Sequence, residues 1–268
     1  MPHNSFHVIT PIILAKIFGY NHTTLPRSDI ISVNMDYNLL PSHKTFRQSF
    51  TPYFGPYALY VIVETLPDAI FSPEIKQMIK LIAVSISMTF FMKWYRFGNL
   101  KWKNVGASLF ASPVALILWV LPLMYIKGQS DGENSYSAAY FVLRTINSTF
   151  LVAIFEELLI RVYLMEWFYQ AGIQVKEKGW LNSVLDTFDR KPTELPIVPL
   201  SKFSLLLVTA LFTVGHTTSE WVSSVLYFSF TNFLYKKTGS MWVCIFIHGI
   251  TNLSIALLVK FGGMSYLW

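Results

Sequence analysis

Charged side chains are scarce in this chain of 268 residues, at 13% of the total against about 25% in an ordinary soluble domain. Cysteine is scarcer still. The single residue, Cys244, excludes an internal disulfide and any cysteine-rich metal site. The N-terminus has no Lys/Arg-rich start leading into an apolar stretch and a small-residue cleavage site, so we read no removable signal peptide. There is no P-loop, no dinucleotide fingerprint and no HExxH zinc-protease helix. No tandem repeat, low-complexity tract or strand-like alternation is visible. The shortage of charge, with a mean hydropathy of +0.44, excludes a disordered chain and argues against an ordinary soluble enzyme.

Apolar residues are abundant. Hydrophobic side chains make up 53% of the sequence and aromatics 16%, and the mean hydropathy is +0.44. They cluster in the runs Tyr53–Phe71, Ile75–Met92, Ala107–Ile126, Tyr140–Phe168, Phe203–Thr217, Val222–Tyr235 and Met241–Val259. Several approach the roughly 20 residues that cross a bilayer core. The expected fold is therefore all-α, a polytopic membrane bundle of about seven transmembrane helices, with the lipid bilayer as its first partner. Residues 1–50 read as a cytoplasmic N-terminal extension and 51–268 as the membrane domain.

The net charge is +6. On a soluble protein it would suggest nucleic acid; here it reads as loop charge, and no nucleic-acid partner is expected. Lys93, Arg96, Lys101 and Lys103 follow the second run, Lys176, Lys178, Arg190, Lys191 and Lys202 the fourth, and Lys236 and Lys237 the sixth. The loop after the third run sets Lys127 against Asp131 and Glu133. Basic loops alternating with poor ones place the N-terminus and the long loop Ala171–Lys202 inside and the C-terminus outside.

Polar residues inside the runs carry the functional signal. A charge at mid-membrane costs about 2.5–3.5 kcal/mol on insertion scales. The fourth run nevertheless holds Arg144, Glu156, Glu157, Arg161 and Glu166. Glu157 and Arg161 share a helix face and can pair, whereas Glu156 points about 100° away. Either all three form a structural ion cluster or one free carboxylate is left to function. His216 ends the fifth run, and His248 and Asn252 share a face of the seventh. A lone histidine in an apolar helix is more often a hydrogen-bonded core residue. Two of them beside a glutamate pair supply a base, a second base or ligand, and neutral donors, an inventory suited to activating water and stabilising an oxyanion.

Glu156-Glu157-Leu-Leu-Ile-Arg161 resembles an EExxxR motif, Phe212-Thr-Val-Gly-His216 an FxxxH motif and His248-Gly-Ile-Thr-Asn252 an HxxxN motif. In that order they resemble the signatures of the CPBP intramembrane protease family, which includes the CAAX prenyl endopeptidases. The resemblance covers the chain from about Leu151 onward. Tyr227, Thr238-Gly239-Ser240 and Trp268 are similar to the exosortase-associated CAAX-protease-related branch. The resemblance implies hydrolysis of a peptide bond in a membrane-associated protein or peptide, of prenylated CAAX type in the best-known members. It implies a multi-pass protein of a bacterial or archaeal plasma membrane. It also implies that Glu156 and His216 polarise the attacking water, that Glu157 and Arg161 hold the helix geometry, and that His248 and Asn252 meet the oxyanion. The family's metal-dependent alternative would use Glu156, His216 and His248 as ligands to a divalent ion such as zinc.

One geometric condition follows. The runs place Glu156 several ångströms deeper than His216, and only a sliding boundary of the long fourth run can absorb that. The GxSxG match Gly128–Gly132 lies in a loop without the strand and helix of a nucleophile elbow. Glu64 and Asp68 share a face of the first run and would line a cavity, pair with Arg144 or mark an ion path; Glu220 reads as a cap or an interface residue. Two competing functions remain: a proton- or ion-coupled transporter relaying through Glu64, Glu156, His216 and His248, and a non-enzymatic immunity or binding protein.

Overall fold

Thr45 starts the first helix, α1 (Phe46–Glu64), through a reciprocal capping box with Gln48. Ser72 caps α2 (Pro73–Phe90), where Pro73 occupies the favoured first turn. The computed structural model describes residues 44–95, 97–127, 136–192 and 200–268. Most of the N-terminal extension, Arg96, Asp131, Glu133 and the GxSxG match lie outside them. Helix α3 spans Trp102–Lys127. Ser137 then caps α4, a continuous helical run over 138–178. Within α4, two wider π-helical segments, Asn147–Val152 and Leu158–Leu164, flank the turn Ala153–Glu157. The remaining helices are α5 (Trp180–Phe188), α6 (Lys202–Val214), α7 (Trp221–Thr238) and α8 (Met241–Gly262). Gly239 and Gly263 end α7 and α8 at φ 60° and 67°, where a side chain would be strained.

The eight helices of the described residues form an all-helical fold. Each of the seven apolar runs falls mostly on a helix, while 65–71 of the first and 215–217 of the fifth lie beyond the helix ends. Two of these helices, α3 and α8, are long and apolar enough to cross a membrane, with mean hydropathies of 2.1 and 2.0. Only 22% of the apolar window of α3 is buried within the protein, and Phe110 and Tyr125 stand almost fully exposed. So large an exposed apolar face suits lipid rather than water. Helix α5 corrects the reading of 171–202 as a loop. Its apolar face packs on the last part of α4, where Trp167 donates to the Val184 carbonyl.

Helix α4 is central. α8 crosses its first π segment and also runs along α3, α7 packs on α3, and α6 lies against the last part of α4. Buried lysines within these helices find acidic partners. Lys76 and Lys80 of α2 are buried and reach Asp68 and Glu64 respectively. Glu64 and Asp68 therefore join the first two helices and do not pair with Arg144. Asn147 donates to both the backbone carbonyl and the side-chain oxygen of Gln77 at 2.9 Å, tying the first π segment to α2.

Candidate active site

The site is built where α8 passes closest to α4. A Cβ added at Gly249 would lie 2.7 Å from the Thr149 carbonyl oxygen, so only glycine lets the two backbones approach this far. A π segment shifts its backbone hydrogen bonds by one residue and is frequent at functional sites. Here the Ser148 carbonyl accepts from Asn252 at 2.8 Å. Gly249→Ala should force the helices apart, lower stability by about 1–3 kcal/mol and reduce activity. Thermal unfolding in detergent alongside substrate turnover will measure both.

One turn back on α8, His248 sits between the two glutamates. Its Nδ1 is 3.2 Å from Glu157 Oε1 and its Nε2 is 3.9 Å from Glu156 Oε2. A carboxylate only accepts, so Nδ1 carries the proton toward Glu157 and Nε2 faces Glu156. Glu157 also pairs with Arg161 at 2.7 Å, and both are almost completely buried. The Arg161 guanidinium continues to Thr231 Oγ1 at 2.6 Å and lies over the Phe228 ring. The adjacent glutamates thus have separate surroundings, Glu157 inside the bundle and Glu156 beside open space.

His216 follows the end of α6. Its Nδ1 is 2.7 Å from the Phe212 carbonyl, and because a carbonyl only accepts, Nδ1 is the donor. In the neutral ring, Nε2 is left as an acceptor. Phe212 and Trp119 hold the imidazole from its sides.

Glu156, His216, His248 and Asn252 line one polar cavity of about 210 Å³. Glu156, Phe212 and His216 also line a second, apolar cavity of about 280 Å³ between α1, α4 and α6. The depth mismatch expected from the runs is absent, since one wall carries both Glu156 and His216. Glu220 forms a capping box with Thr217 and also faces the polar cavity. Tyr60, Trp119, Ser148 and Thr251 line it too. No spacing signal marked them, because an aromatic or small polar residue in an apolar helix reads as core. Glu64 and Asp68 are not among its lining residues.

Among the described residues no group of three or more His, Cys, Asp and Glu side chains is arranged to hold a metal ion. His216 and His248 hold Nδ1 on the Phe212 carbonyl and on Glu157, which leaves Nε2 of each as the nitrogen a metal would take. The three residues considered for zinc are nevertheless not gathered around one point, and no step is derived through a metal.

No curated protein and no solved structure matches the chain. Residues 138–254, which run from the start of α4 into α8 and include all three motifs, match the family model described as Type II CAAX prenyl endopeptidase Rce1-like, the domain of a protease family.

Proposed function

We propose that the chain is an intramembrane endopeptidase that hydrolyses a peptide bond of a membrane-associated protein, of prenylated CAAX type, in a bacterial or archaeal plasma membrane. The observation that carries this reading is the position of Glu156 and His216 on the wall shared by a polar and an apolar cavity. Water enters the polar side, and the substrate's apolar segment or isoprenyl group lies on the other. Glu156 takes one proton from the water, and His216 Nε2 accepts a hydrogen bond from the second. The oxygen adds to the scissile carbonyl carbon. The Asn252 amide donates to the oxyanion, and His248, with Nδ1 held by Glu157, donates to it from Nε2 in the form that carries a proton there. The C–N bond then breaks, and Glu156 returns its proton to the departing amine.

Residues 51–268 act as the protease domain, with seven spans, the N-terminus inside and the C-terminus outside, on the exosortase-associated branch. The test is reconstitution of the purified protein in liposomes with proteins captured by a Glu156→Gln trap. We expect the wild type to cleave them and His216→Ala to be at least about 100-fold slower with unchanged membrane insertion. Equal cleavage by His216→Ala would overturn the assignment.

A further inference from the structure

Three cations buried in the described membrane helices each have an acidic partner: Lys76 with Asp68, Lys80 with Glu64 and Arg161 with Glu157. Arg144 differs. It is half-buried near the start of α4 and lines the same polar cavity as Glu156. Among the described residues it pairs with no carboxylate. Instead it donates to the Tyr140 hydroxyl at 2.7 Å and lies 4.6 Å from the centre of the Trp268 ring. The aromatic contacts fix the plane of the guanidinium, and the remaining N–H groups of its fork are available to an anion. An arginine held this way binds a carboxylate bidentately.

We infer that Arg144 anchors the free C-terminal carboxylate of the substrate and so sets where the chain is cut. The inference rests on the protease reading above. Arg144 precedes Glu156 by 12 residues, at most about 18 Å of helix, since the π segment between them rises less per residue than an α-helix. A peptide extended at roughly 3.3–3.6 Å per residue covers that distance in about five residues. The enzyme therefore releases a short C-terminal peptide of about five residues or fewer, and a substrate with a blocked or distant C-terminus lacks the anchor.

The test uses the full chain in proteoliposomes with a mixture of S-farnesylcysteine peptides randomised after the cysteine, made once with a C-terminal carboxylate and once with a carboxamide. Mass spectrometry reads the products. Wild type should cleave the acid series about 10–100-fold faster in kcat/KM than the amide series, the range of a charged hydrogen-bonded contact. Arg144→Gln should bring that ratio close to one, and Arg144→Lys should keep part of it. A structural role for Arg144 would lower both series together and leave the ratio unchanged. Equal cleavage of the two series by wild type, or an undiminished ratio in Arg144→Gln, overturns the inference and leaves the protease reading standing. Fluorescence anisotropy of the labelled acid and amide peptides on Glu156→Gln gives a readout independent of turnover. Tighter binding of the acid, lost on adding Arg144→Gln, supports the anchor. Equal binding of acid and amide overturns it, whereas a retained acid preference without wild-type cleavage places the fault in the protease reading.

Discussion

Glu156→Gln should lower the rate of peptide hydrolysis by about 10²–10⁴-fold, the usual effect of removing a general base, while the protein stays inserted and folded. Glutamine keeps the shape and packing of glutamate but cannot take a proton from water. Among the described residues Glu156 makes no short ion pair, and His248 Nε2 lies 3.9 Å from its Oε2. Its loss therefore removes chemistry rather than a structural contact. His216 and Glu156 act on the same water in the proposed mechanism, so the double variant Glu156→Gln/His216→Ala should be little slower than either single variant. Turnover of a reconstituted substrate by the four proteins decides this. Multiplying losses would mean that the two residues serve separate steps.

Arg161→Met should have the largest effect on stability. The guanidinium is fully enclosed, and its removal leaves the Glu157 carboxylate, 2% exposed, with the His248 imidazole as its one remaining side-chain partner among the described residues. Breaking a buried pair from one side costs about 3–5 kcal/mol. Adding Glu157→Gln should restore a large part of that loss, because the orphaned charge has gone and glutamine still accepts from His248. Denaturant unfolding of wild type, both single variants and the double variant in detergent gives the coupling directly. An Arg161→Met protein as stable as wild type would show that the pair contributes little to the fold.

The residues with the clearest sequence spacing are also those whose positions follow most directly from helix geometry. Glu157 and Arg161, one turn apart, do pair, and the 100° step does send Glu156 elsewhere. The links between helices were less legible. Lys76 and Lys80 lay unremarked inside an apolar run, although their i, i+4 spacing mirrors that of Asp68 and Glu64. Trp119 beside His216 depends on how α3 rests on its neighbours, which no periodicity within α3 encodes. The π segments of α4 were invisible for a similar reason. The first of them lies against α8 at Gly249, a residue some hundred positions later in the chain. Helix α5 was hidden because a short amphipathic turn between charged, proline-bearing stretches resembles a connection.

The common wall of the two chambers, formed by Glu156, Phe212 and His216, has a practical consequence for inhibitor design. A purely greasy compound would fill one chamber and a purely hydrophilic one the other, and neither would reach across Glu156. An amphiphile with a hydrolysis-resistant ketomethylene at its centre, a hydrocarbon tail on one side and an acidic head on the other, would engage both at once and gain the affinity that comes from linking two weak fragments.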